Sequence, residues 1–250
     1  MDRSLPIWAV SHLNHVTVPR ELLHRSTRSP RDVILLNDQI QHKINFFREY
    51  VPKDKELYLI GHSIGCYIIL NILPILKSEG FKVKKAIFLF PTIERMKETP
   101  NGKMARFLRF FLLDKLMMVV PYLLYWLPKR LKRLLVRARV GSGVPVCVFN
   151  ASLNLFDWNV LNNVRLMGYN ELDTVRLLQE DLVRQNAHLL TFYYGMDDEW
   201  CPVSYGKELL SKFPDSDVLF CDSGCEHAFV LYSGSVIAQK VVQIIDSSSS

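Results

Sequence analysis

The sequence is short of the features that break, staple or anchor a chain. Eleven glycines and twelve prolines in 250 residues, beside 49% hydrophobic and 22% charged residues, exclude collagen-like repetition and wholesale disorder. Five cysteines (Cys66, Cys147, Cys201, Cys221 and Cys225) are an odd, scattered set without a Cys-x-x-Cys pair. They exclude a disulfide-dense secreted module and fit reduced thiols facing the cytosol. Cys221, Cys225 and His227 suggest a zinc cluster, but no fourth ligand neighbours them in sequence, so no metal is expected. Met1–Val10 has no long apolar region behind a basic start, so no signal peptide is expected. The uncharged apolar run Leu116–Pro128 covers thirteen residues, against the roughly 20 that a spanning helix needs, and Pro121 and Pro128 interrupt it.

Acidic residues are scarce in one place. Residues 103–139 hold ten lysines and arginines against Asp114 alone, a net +9, which leaves −3 on the rest of a chain whose total is +6. The basic pI of about 9.0 therefore belongs to a segment. Its aromatic residues precede the basic cluster instead of alternating with it, which argues against a nucleic-acid surface.

What is present is an alternation of strands and helices. Leu5–Val10, Leu57–Ile60, Ala86–Phe90, Leu189–Tyr194 and Asp217–Cys221 read as short buried strands. A helix is expected to start at Ser29-Pro30-Arg31-Asp32, with Ser29 at the N-cap, to carry Leu36, Ile40, Ile44 and Phe47 on one face, and to stop before Pro52. Further helices are expected over Cys66–Lys77, Tyr205–Phe213 and Ser235–Ile245. This order predicts an α/β fold with a mainly parallel sheet, one domain over 1–246, an insertion over about 92–188, and a frayed serine tail at 247–250.

Gly61-His62-Ser63-Ile64-Gly65 lies between an apolar strand and an apolar helix, the strand–turn–helix setting of a nucleophile elbow. There Gly61 and Gly65 are expected to let strand and helix pack closely, and the Ile64 N–H to serve as an oxyanion donor. A serine needs a base, and hydrolases of this kind supply the partners in the order Ser, Asp or Glu, His. Asp198 stands after a strand end, three residues past Gly195 and four before Pro202. Asp197 is its close competitor and Glu199 a weaker one. His227 follows the last strand in a loop of small and polar residues. His62 is the rival by proximity, with a structural role the simpler reading. His12, His15, His24, His42 and His188 have no comparable setting.

These residues, with Leu59–Gly65, Phe90-Pro91-Thr92-Ile93-Glu94-Arg95-Met96, Pro100-Asn101-Gly102, Thr191–Gly195, Trp200-Cys201-Pro202 and His227-Ala228-Phe229-Val230, resemble the lipid droplet-associated hydrolase family of α/β-hydrolases. The resemblance implies a serine hydrolase of lipid esters on lipid droplets and the cytosolic face of the endoplasmic reticulum. It makes Ser63 the nucleophile, Asp198 the orienting acid and His227 the base, with no cofactor. The sterol-ester or acylglycerol class is expected as substrate. Ahead of Ser63 only two strands can be found, so the chain reads as an N-terminally shortened hydrolase that lacks the loop of a second oxyanion donor. That shortage motivates a rival from another class, a droplet-surface binding protein with weak or no hydrolysis. Residues 104–139, with Phe107, Phe110, Phe111, Tyr122, Tyr125 and Trp126 before Lys129–Arg139, are expected to contact a droplet or membrane surface. The simpler alternative for that segment is a helical cap with a solvated basic face.

Overall fold

The computed structural model describes residues 6–17, 32–110, 118–119, 122–123, 125–141 and 144–248. The most apolar short runs pair into one parallel sheet in chain order, β1 (Glu56–His62), β2 (Lys82–Leu89), β3 (Leu190–Tyr194) and β4 (Asp217–Phe220). The register sets Ile60 against Ile87, Phe88 against Phe192 and Tyr193 against Leu219. Strands covered on both faces read as continuous apolar runs. All five residues of β3 and the Ala86–Leu89 half of β2 are buried accordingly. Helix α2 (Ile64–Ser78) packs on β1 and β2, with Leu70, Leu73 and Leu76 fully buried.

Helix α1 (Leu36–Tyr50) packs on α2 and ends before Pro52. It buries Leu36 and Ile44, with Ile40 and Phe47 partly covered. Its start corrects the expected one. Asp32 lies in a bend, Ser29–Arg31 fall outside the described residues, and the helix opens at Leu36. The reason is local and tertiary together. Asp38 Oδ2 accepts the Leu35 N–H (3.0 Å), Asn163 Oδ1 takes that of Ile34 (2.6 Å) and Asn170 Oδ1 that of Leu36 (3.1 Å).

The first expected strand is also corrected. Residues 6–10 form no strand, and Ile7 is 91% exposed, because no described strand lies beside them to accept a ladder. Leu5 lies outside the described residues.

Between β2 and β3 the described residues are mainly helical. Past a 3₁₀ turn at Met96–Glu98 come α3 (Pro100–Phe110), α4 (Lys129–Val140), α5 (Val146–Asn154), α6 (Trp158–Thr174) and α7 (Glu180–Asn186). Helix α8 (Val203–Lys212) joins β3 to β4, and α9 (Gly234–Ser247) follows β4. The serine tail begins inside α9 and not after it, since the Ser248 N–H is held by Ile244 and Ile245 carbonyls at 3.2 Å. Ser249 and Ser250 lie outside the described residues. In a parallel sheet all carboxyl ends face one way, so the loops after the four strands meet at one edge, where such folds place their sites.

Candidate active site

Ser63 sits at the turn from β1 into α2 with φ +55° and ψ −123°, a strained geometry for a residue with a side chain. Neighbouring backbone holds it there. The Ser63 N–H donates to Leu89 O (3.0 Å), and its carbonyl accepts from Cys66 N–H (3.0 Å). A Cβ on Gly61 would stand 2.8 Å from Cys66 N and 2.9 Å from Gly65 C, so β1 and α2 approach as closely as glycine permits. Gly65 does not share that role: a Cβ there meets no described atom within 4 Å. The Ile64 N–H is the first amide of α2 and lacks an intrahelical acceptor at the helix's positive end.

The expected partners converge on the Ser63 hydroxyl. His227 Nε2 lies 2.9 Å from Ser63 Oγ, and His227 Nδ1 lies 2.6 Å from Asp198 Oδ2. Asp197 and Glu199 are exposed, whereas Asp198 is buried. Asp198 Oδ1 accepts the amides of Trp200 (2.7 Å) and Cys201 (3.0 Å), and Oδ2 also takes the Cys201 thiol (3.1 Å). Burial raises the Asp198 carboxyl, but hydrogen bonds from His227 and Cys201 outweigh it and leave the group below its ordinary value. It therefore stays an acceptor at neutral pH. Hydroxyl, imidazole and carboxylate in this chain can move a proton off the oxygen while the carboxylate steadies the imidazolium.

His62 does not compete for the hydroxyl. Its Nε2 lies 2.8 Å from the His227 backbone carbonyl, and its ring packs on Phe229 at 4.7 Å. Burial, then repulsion by His227, pushes its pKa down to about 4, so the ring is neutral near pH 7 and donates through Nε2–H. The cluster of Cys221, Cys225 and His227 does not assemble among the described residues. The potential ligands that come within 4.8 Å of one another there are Asp198, Cys201 and His227, already hydrogen-bonded among themselves.

Several supporting residues escape a reading by motif spacing alone. Thr92 is buried, its Oγ1 3.4 Å from Ser63 Oγ and its N–H 3.4 Å from the Ser63 carbonyl. Oriented to satisfy both neighbours, the Asn101 amide donates to Glu199 Oε2 (3.1 Å) and accepts from Trp200 Nε1 (3.2 Å). That contact ties the start of α3 to the acid loop. A Cβ on Gly195 would come 2.6 Å from the Phe90 ring, which closes the space beneath Asp198. The only sequence signal for these residues is the clustering of Phe90–Met96, Pro100–Gly102 and Trp200–Pro202 after strand ends.

The basic segment supplies none of Ser63, Asp198 and His227. On α3, Lys103, Arg106 and Arg109 line an open cleft of about 520 Å³ with Lys97, Asp173, Phe107 and Phe110, the last 79% exposed. Asp173 is held there by Lys97 (2.6 Å) and Arg109 (2.8 Å). Helix α4 exposes Leu134 beside its cations, and Trp126 before it is 70% exposed. No helix among the described residues is long and apolar enough to cross a membrane.

The family model for lipid-droplet associated hydrolases matches residues 1–230. The lipid droplet-associated hydrolase of Gallus gallus is 37% identical over 247 residues, covering 96% of this chain and 75% of its own. That of Homo sapiens is 34% identical over 249 residues (96% and 75%), and that of Drosophila melanogaster 32% over 244 residues (96% and 79%). Among solved structures, a carboxylesterase of Nitrososphaera gargenis superposes with a TM-score of 0.56 at 12% identity, covering 89% of this chain and 75% of its own. The serine hydrolase CarC of carbazole degradation gives 0.56 at 15% identity, covering 88% and 74%. Likeness at such identities is likeness of fold, and the sequence match supplies the rest: this chain belongs to the lipid-droplet associated hydrolase family and is built on the α/β-hydrolase fold.

Proposed function

We propose that the chain is a serine hydrolase of lipid esters, of the sterol-ester or acylglycerol type, acting through Ser63, Asp198 and His227. The observation that carries this reading is the unbroken relay from Ser63 Oγ to His227 Nε2 and from His227 Nδ1 to Asp198 Oδ2. Ser63 Oγ attacks the ester carbonyl as His227 Nε2 takes its proton, and Asp198 stabilises the imidazolium. The oxyanion accepts the Ile64 N–H. Collapse breaks the ester C–O bond, and His227 passes its proton to the departing alkoxide. Water, deprotonated by the same imidazole, then releases the acid from Ser63. The names of all three relatives associate them with lipid droplets. For this chain the droplet surface and the cytosolic face of the endoplasmic reticulum are the proposed sites of action.

The helical connection over about 92–188 serves as a cap, and residues 104–139 are its lipid-contact face. Exposed Phe107, Phe110 and Trp126 dip among acyl chains while Lys103, Arg106 and the cations of α4 meet headgroup phosphates. Anionic headgroups contribute about 1 kcal/mol per cation near the surface.

A fluorophosphonate probe tests the chemistry. Labelling of the parent, lost in Ser63→Ala together with turnover of p-nitrophenyl butyrate, supports hydrolysis. An unlabelled parent that still floats with droplets leaves the rival, a surface binder, standing. Flotation with phosphatidylserine vesicles tests the face. Phe107→Ser with Phe110→Ser is expected to reduce the bound fraction several-fold, and equal flotation rejects that role for α3.

A further inference from the structure

We propose that Cys201 is a positioning residue whose thiol pins the Asp198 carboxylate against His227; the proposal rests on the triad reading above. Each Asp198 oxygen has two donors. Oδ1 has backbone amides, those of Trp200 (2.7 Å) and Cys201 (3.0 Å), which follow from the tight turn of the acid loop. Oδ2 has side chains, His227 Nδ1–H (2.6 Å) and the Cys201 thiol (3.1 Å). Among the described residues Cys201 is thus the one side chain besides His227 bonded to this carboxylate. Its Sγ is also 3.9 Å from His227 Nδ1, so the sulfur lies alongside the Asp–His bond. A rotation of the carboxylate that moved Oδ2 away from the imidazole would break the thiol contact as well.

The chemistry of sulfur suits the position. Cys201 is 1% exposed, and burial together with the adjacent carboxylate holds its thiol well above the ordinary range, so it keeps its proton and stays a donor. A thiol donates weakly. It fixes the direction of Oδ2 while leaving most of the carboxylate's charge for the imidazolium. An alanine here leaves Oδ2 with one donor and makes Asp198 a stronger base, which favours protonated His227. A serine supplies a stronger donor, with the opposite effect.

The expected outcomes follow. Cys201→Ala lowers kcat for p-nitrophenyl butyrate about 3- to 30-fold with KM nearly unchanged. It moves the acid limb of the kcat/KM profile to higher pH and shifts the low-field proton resonance of His227 Nδ1–H. Cys201→Ser restores kcat to within about threefold of the parent and moves the limb to lower pH. An alanine variant that matches the parent in kcat, acid limb and low-field proton overturns the proposal. Where the alanine variant does not fold, the serine variant decides: a limb moved to lower pH supports the role, and an unmoved limb and proton reject it. A parent that takes no fluorophosphonate at Ser63 sinks the hydrolase reading instead. The low-field proton still reads the geometry of Cys201, Asp198 and His227 in that event.

Discussion

His62 and His227 are both imidazoles, yet their surroundings give them different work. His227 faces Ser63 and Asp198 through its two ring nitrogens, while His62 holds the backbone of His227 in place. Removing the anchor is therefore expected to act through position. His62→Ala should lower kcat/KM about 10- to 100-fold, because small misplacements of a base are costly. Asp198→Asn should lower it about 10³–10⁴-fold by favouring the wrong tautomer of His227. Steady-state kinetics on folded variants ranks the two, and an His62→Ala enzyme as active as the parent removes the anchoring role. The relay itself was legible in the sequence, since Ser63, Asp198 and His227 each follow a strand end in the order such chemistry uses. The direction of His62, the contact of Thr92 with Ser63 and the thiol on Asp198 were not. They depend on side-chain approaches between residues far apart in the chain, such as the 165 positions separating His62 from His227.

At the level of elements, the elbow turns on one glycine of its two. Gly61→Ala drives a methyl onto the Cys66 and Gly65 backbone, which cannot yield as a flexible side chain would. A loss of about 1–3 kcal/mol is expected, or several degrees in Tm. Gly65 lies in the first turn of α2 with open space before it, so Gly65→Ala should be neutral or add up to about 1 kcal/mol through helix propensity. Scanning calorimetry of the two variants checks the contrast, and equal Tm values would contradict it. The paired strands were readable for a separate reason: parallel strands covered on both faces leave uninterrupted apolar runs. The same cue failed at residues 6–10, where an apolar run has no neighbouring strand. The N-cap signal at Ser29 and Pro30 misplaced the start of α1, because Asn163 and Asn170 of α6 take the Ile34 and Leu36 amides. The helices of the β2–β3 connection stayed unresolved in the sequence because α3 and α4 leave apolar residues exposed, so no clean buried stripe marks their limits.

Across the whole molecule, acid weakens the fold through groups in two separate places. His12 sits near Lys43, His15 and His42. Burial first, then repulsion with Lys43, His15 and His42, pushes its pKa down to about 4, the same value that burial and His227 impose on His62. Both rings are neutral in the folded state at pH 5, whereas the unfolded chain protonates them near 6.5. Below that pH the unfolded state binds more protons, so stability is full above about 6.5, falls as pH drops towards 4, and levels off for these two groups. Asp198 works in the same direction at lower pH, since its depressed value contributes stability that is lost as it becomes protonated. Each histidine accounts for a loss on the order of 2–3 kcal/mol across the window. Urea midpoints at pH 7.5 and 5.0 measure it. His12→Gln should narrow the gap between the two midpoints with turnover retained, because the neighbours of His12 among the described residues are His15, Gln39, His42 and Lys43, and none belongs to the relay. His62→Gln should narrow it similarly while lowering turnover. A parent with equal midpoints at both pH values would show that neither ring is held neutral by the fold.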